Sequence, residues 1–175
     1  ENIKAVVVRI DSPGGDVFAS DQMWHAMNQL REQKPVVVSM ADTAASGGYY
    51  IAMAKSPVLA YPGTTTGSIG VIYGKMNLRQ LYDKLGIRKE IITRGRNAAS
   101  LSDYSGFSPE ERVKARENVE MFYGTFVHKV AESRGRSWEY TPLETGSELS
   151  GMSADLNAPS TILFRFIKKQ SMYDS

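Results

Sequence analysis

Cysteine is absent from all 175 residues, so disulfides, thiol catalysis and Cys-ligated metals are excluded. That absence leaves the redox compartment open. Histidine is nearly absent too: His25 and His128 stand far apart, and no HExxH-like spacing occurs. A multi-histidine metal site would need carboxylate help; no metal and no cofactor is expected. No run approaches about 18 consecutive apolar residues, so no transmembrane helix is encoded here. The start of the sequence has no charged-then-apolar signal pattern. Asn2-Ile3-Lys4 leads directly into a strand, as in a fragment whose upstream part is missing, and membrane association is expected only through segments absent here. Charge of one sign is lacking as well. Twenty-one basic residues against 19 acidic ones leave a net charge of +2, and no Lys/Arg run occurs, which argues against a nucleic-acid partner.

The composition that remains is that of an ordinary globular domain, 42% hydrophobic and 23% charged. Ala5-Val6-Val7-Val8-Arg9-Ile10 is β-branched and nearly all apolar, the pattern of a buried parallel strand. Val17, Met23, Met27 and Leu30 recur near helical spacing up to Lys34, where Pro35 closes the helix. Val36 to Met40 reads as a second buried strand, Ala44 to Met53 as a small-residue helix, and Val58-Leu59-Ala60 as a short strand. Gly67 to Ile72 is a strand or loop. Leu78 to Leu85 forms a short helix that Gly86 caps, and Ile87 to Thr93 another strand. Ser108-Pro109-Glu110-Glu111 opens a long helix: serine fits the N-cap, proline the first turn, and the glutamates the positive helix end. Its apolar face runs from Val113 through Val119, Phe122, Phe126 and Val127 to Val130, and the helix ends near Arg134. The alternation of strands and helices predicts an α/β domain over 1–136 with a mostly parallel sheet flanked by helices. From 137 to 175 the pattern decays into a divergent or poorly ordered tail, in which Ile162 to Ile167 reads as strand or helix.

Two glycine-flanked turns, each directly after a buried strand, hold the candidate chemistry. Ligands bind at the carboxyl ends of strands in open α/β sheets. In Asp11-Ser12-Pro13-Gly14-Gly15, proline fixes the approach and the glycines let backbone N–H groups face a cleft. In Thr43-Ala44-Ala45-Ser46-Gly47-Gly48-Tyr49-Tyr50, a serine sits among tiny residues at a helix start. Free N–H groups and the helix dipole favour a developing oxyanion there. Taken singly, each is usually a plain turn. Their joint occurrence after successive strands points to a site without naming its reaction.

Three blocks in register, Ile10-Asp11-Ser12-Pro13-Gly14-Gly15, Ala44 to Ala52 and Thr66-Gly67-Ser68-Ile69-Gly70-Val71, resemble the signal peptide peptidase A (protease IV) family. The resemblance continues through Leu81 to Ile87 and the Pro109-Glu110-Glu111 helix, covering about residues 3–136. Ile92 to Arg96 is similar to the longer two-repeat members, including those of plastids and cyanobacteria. The resemblance implies a Clp/crotonase-like fold and a serine–lysine dyad that cleaves peptides, notably remnant signal peptides, at a membrane surface in a bacterial envelope or plastid. It implies Ser46 as nucleophile, the Gly15 and Gly47 N–H groups as oxyanion hole, Ser68 supporting the lysine base, and Gly14 and Gly48 beside the substrate. It also implies self-association into rings. A serine hydroxyl needs a base, and a lysine serves only where desolvation lowers its pKa.

The lysine departs from the family pattern. Short members carry it just after the turn at Gly95, where this chain has Ala98. In long members the N-terminal repeat supplies the lysine and the C-terminal repeat the serine, so no complete dyad is expected here and a homo-oligomer or a lysine-bearing N-terminal repeat is the expected partner. Lys55, Lys75 and Lys89 read as solvated surface lysines. The Leu-Val-Asp strand that ends family members is missing from the tail. His25 and His128 read as helix-surface residues, Asp11 as a cap of its glycine turn, Tyr49 and Tyr50 as packing beneath the serine helix, with one of them lining the substrate cleft as the alternative, and the methionines as core. Two further readings stay open: a catalytically incomplete scaffold or peptide-binding repeat, and a crotonase-like acyl-CoA enzyme. The second would need glutamates near the turns, and none lies there.

Overall fold

The computed structural model describes residues 3–135 and 161–166. Two compact units are present. The first takes the described residues up to Val71, those from Phe122 to 135, and Phe166; the second takes Ile72–Met121 together with the described residues to Arg165.

The first unit is α/β. Its strands are β1 (Val6–Ser12), β2 (Val36–Ala45), β3 (Val58–Leu59) and β4 (Thr65–Gly67). β1, β3 and β4 each pair with β2 in parallel. Val6, Val8 and Ile10 face Val36, Val38 and Met40 in register, and Ser12 pairs with Ala44 after a register shift. Helix α1 (Val17–Gln33) connects β1 to β2, as a parallel pair requires. Asp16 caps it, its side chain accepting from the Ala19 N–H at 2.8 Å. Helix α2 (Gly47–Ala52) follows β2 directly. The core gathers Ile10, Val38, Met40, Tyr49, Met53 and Phe126, with Val38 wholly buried. Phe126 comes from α4 (Pro109–Ser133), which runs through both units, as does β5 (Gly70–Lys75).

The second unit holds α3 (Arg79–Lys84), and β5 pairs with β6 (Thr161–Phe166). Ser108 and Glu111 form a reciprocal capping box at the start of α4. Lys89 joins Asp103 at 2.7 Å, and Tyr82 donates to the same carboxylate at 2.5 Å. Hydrogen bonds from Lys89 and Tyr82 hold the Asp103 carboxyl below its ordinary range, and the bonds that Lys89 gives to Asp103 and then to the Tyr82 hydroxyl raise its ammonium.

Several expectations need correction. Ala44 and Ala45 end β2 rather than begin a helix, because they continue the parallel ladder onto Thr66 and Gly67. Ile87 to Thr93 forms no strand: no ladder partner is present for it among the described residues, and Ile92 is 90% exposed. Val113 is exposed on α4, so the apolar stripe starts later. Met27, Met40 and Met53 are core, whereas Met23, Met76 and Met121 are exposed. The burst at 162–167 is β6, ending at Phe166; the rest of the 137–175 tail lies outside the described residues.

Candidate active site

The site is built where β1 and β2 end. β2 delivers Ser46, half-buried, at φ 49° and ψ −118°. A positive φ at a residue with a Cβ is strained by about 1–3 kcal/mol and persists only where its surroundings impose it. Two backbone bonds do so. The Ser46 N–H donates to the Gly67 carbonyl at 2.9 Å, and the Ser46 carbonyl accepts from the Tyr50 N–H at 2.8 Å. The first ties the serine to the end of β4, the second to the first turn of α2.

The turn after β1 closes on this serine. Gly14 lies at φ 116°, and a Cβ there would stand 2.7 Å from Ser46 Cβ and 3.0 Å from Ser46 Oγ. A Cβ on Gly47 would stand 3.1 Å from the Gly15 nitrogen and 2.5 Å from Ser20 Oγ. One on Gly48 would meet the Ser12 carbonyl at 2.7 Å. Glycine at these positions is what lets the two turns touch. Gly14, Gly15, Ser46, Gly47 and Gly48 are thus brought together. Ser68 follows Gly67 directly in the chain, has φ 50° and is exposed. Ser12 Oγ accepts from the Gly14 N–H at 3.2 Å and so caps the turn. Asp11 does not: its carboxylate accepts from the Thr43 N–H at 3.3 Å and bridges β1 to β2.

An open pocket of ≈ 290 Å³, mouth included, lies beside Ser46 and Gly47. Val17, Tyr50, Val71, Phe122 and Phe126 give it an apolar lining. Tyr49 and Tyr50 are buried, as packing beneath the serine helix requires. Tyr50 donates its hydroxyl to Asp21 Oδ1 at 2.5 Å, and Lys129 engages the same oxygen. Burial alone would raise the Asp21 carboxyl; hydrogen bonds from Lys129 and Tyr50, with the charges of Lys129 and His25, outweigh it and hold the carboxyl below its ordinary range. Burial first, and then Asp21, push the Tyr50 phenol well above its ordinary value. This cluster was missed in the sequence. Its one signal was a lysine set among the apolar positions of α4, three residues after Phe126.

The other lysines divide. Lys55 is exposed and pairs with Glu132 at 2.5 Å, which holds that carboxyl below its ordinary range. Lys89 is also exposed and paired. Lys75 corrects the expectation of a solvated lysine: its Nζ is buried, with no hydrogen-bond partner among the described residues, and stands 4.7 Å from the centre of the Phe107 ring. Both histidines are exposed, as expected. Among the described residues no cluster of His, Asp and Glu is gathered that could hold a metal ion, and no helix is long and apolar enough to cross a membrane.

Comparison with known proteins decides the family. The model of peptidase family S49 matches residues 28–158. This chain belongs to peptidase family S49. It is 47% identical over 132 residues to "Serine protease SPPA, chloroplastic" of Arabidopsis thaliana, covering 75% of this chain and 20% of that one. It is 37% identical over 142 residues to "Protease 4" of Salmonella typhi, covering 78% of this chain and 22% of that one. "Protease 4" of Haemophilus influenzae is 33% identical over 137 residues, covering 76% and 22%. The chain therefore spans about a fifth of the length of these S49 relatives. The family is the one that the glycine-flanked turns resemble.

Proposed function

We propose that this chain is the serine-bearing part of an endopeptidase of family S49, with a Clp/crotonase-like fold. Ser46 Oγ attacks a peptide carbonyl, the C–N bond breaks as the leaving amine takes up the proton removed from the serine, and water then cleaves the acyl-enzyme ester to release the acid and restore the serine hydroxyl. The N–H groups of Gly15 and Gly47 hold the developing oxyanion. A lysine from an N-terminal repeat or another subunit takes the serine proton, and Ser68 hydrogen-bonds that amine. Peptides such as cleaved signal peptides are the substrates, with an apolar side chain in the pocket beside Ser46. The observation that carries this reading is the contact of the two turns: the Gly15 nitrogen lies 3.1 Å from where a Gly47 Cβ would be, against a strained serine. The S49 membership supports the same reaction class.

Labelling with a fluorophosphonate, followed by mass spectrometry, tests it. Label is expected on Ser46 when a lysine-bearing N-terminal repeat is added, and not without it. Label without the partner would put the base within this chain. A second reading, a scaffold or peptide-binding repeat without its own catalysis, is favoured by alanine at position 98. It predicts no label under either condition.

A further inference from the structure

Helix α4 carries a lysine where an apolar residue would pack. Lys129 is 8% exposed, and its neighbours on the buried stripe are Phe126 and Val130. Its ammonium meets Asp21 Oδ1 and stands 3.6 Å from the centre of the Trp24 ring and 4.8 Å from that of Tyr50. Both rings thereby make cation–π contacts with one charge. Tyr50 is bound at its other end too, through the hydroxyl given to Asp21. Trp24 Nε1 donates to the Met53 carbonyl at 2.9 Å, where α2 ends. One charged knot therefore ties α1, α2 and the C-terminal half of α4 together inside a single unit.

The pair returns little net stability: Lys129 loses its water, while the Asp21 side chain stays 37% exposed and keeps part of its own. What such a pair supplies is one geometry instead of several. The group held here is Tyr50, a wall of the pocket beside Ser46. Lys129 stands over its face, Phe126 packs against the ring at a tilt of 59° with centres 4.9 Å apart, and Asp21 holds its tip.

We propose that Asp21 and Lys129 are positioning residues that lock the Tyr50 ring, and that the locked ring sets the size of substrate side chain the pocket accepts. The proposal rests on the peptidase reading only in taking that pocket for the substrate's. Lys129 is not a candidate base in this arrangement, because its amine is committed to Asp21 and two ring faces.

The test compares the chain with its Tyr50→Phe, Asp21→Asn, Lys129→Met and Lys129→Arg variants, each with the lysine-bearing repeat present. Two blocked tripeptide amides, acetyl-Ala-Ala-Ala and acetyl-Ala-Ala-Phe, are titrated calorimetrically, and the matching peptidyl phosphonates are scored for Ser46 labelling. Freed of its ties, the ring yields to larger groups. The first three variants should move the Ala-over-Phe preference about tenfold toward Phe, the scale on which pockets discriminate side-chain size. Lys129→Arg, which keeps the charge, should recover most of it. A merely structural role would instead weaken both ligands equally, in step with a lowered melting temperature, and that result overturns the proposal. A moving preference without Ser46 label would sink the nucleophile and keep the pocket. Label with an unmoved preference would do the reverse, and wild-type protein that binds neither peptide would sink both.

Discussion

Ser46 donates its backbone N–H to the carbonyl of Gly67 at 2.9 Å, so the candidate nucleophile is fixed by the end of β4 as well as by its own strand. The bond joins two of the three blocks that resemble signal peptide peptidase A. It gives their common register a physical reason: Ala45 pairs with Gly67, and the next residue must turn out of the ladder.

That turn leaves no room behind the serine. A methyl group on Gly14 would come within 2.7 Å of Ser46 Cβ and 2.9 Å of the Gly47 nitrogen, at a φ of 116° that only glycine holds easily. Gly14→Ala should therefore displace both the nucleophile and an oxyanion donor. Misplacement on the scale of an ångström costs about a hundredfold in rate, and Ser46 labelling should fall by at least that much. Gly63→Ala, where nothing lies within 4 Å, is the control and should leave labelling unchanged. Equal labelling of the Gly14 variant would mean the two turns do not form one site.

Strain at the serine makes a second outcome measurable. Ser46 sits at φ 49° with its Cβ in place. Ser46→Gly relieves about 1–3 kcal/mol of strain, against about 0.5–1 kcal/mol of added chain entropy in the unfolded state. The variant should lose all labelling and yet be about 1 kcal/mol more stable than Ser46→Ala in urea titration. A glycine variant less stable than the alanine one would show that the positive φ is not strained.

The strand–turn–helix order around Ser46 was legible because local rules govern it: Val-rich runs, glycine at tight turns, proline after α1. Ser108 likewise marks a helix start that the structure keeps. Ile87 to Thr93 misled because its β-branched residues satisfy strand propensity, while a strand also needs a neighbour. The Asp21–Tyr50–Lys129 knot was illegible for a different reason. Its members are separated by 29 and 108 positions, and no periodicity links residues that distant. Lys75 shows the same limit: its exposure depends on Phe107, which no local pattern brings beneath it.

Acid should dissolve the knot. The Asp21 carboxyl lies below its ordinary value in the folded chain, because its hydrogen bonds and charge partners outweigh burial. Its contribution is complete above the unfolded value of roughly 4 and is lost as pH falls through the lower folded value. Asp21→Asn removes the charge at every pH and leaves Lys129 without its counter-ion. The melting temperature of the variant should lie below that of the parent at pH 7, and the gap should narrow as pH falls below about 4 and on through the lower folded value, where the parent's carboxyl is protonated as well. A gap that stays constant with pH would mean that the carboxylate charge contributes nothing.

Lys75 carries the last prediction. Its amine is buried without a hydrogen-bond partner among the described residues, and the Phe107 ring offsets part of that cost with a cation–π contact of about 0.5–2 kcal/mol. An unpaired buried charge costs several kcal/mol, so the ring does not balance it. Methionine keeps the stem and gains a sulfur–aromatic contact of about 0.3–1.5 kcal/mol. Lys75→Met should raise the melting temperature by about 2–4 °C, the shift that roughly 1 kcal/mol produces in a domain of this size. A melting temperature lowered by the substitution would show that the amine is stabilising where it stands, through more than its contact with the Phe107 ring.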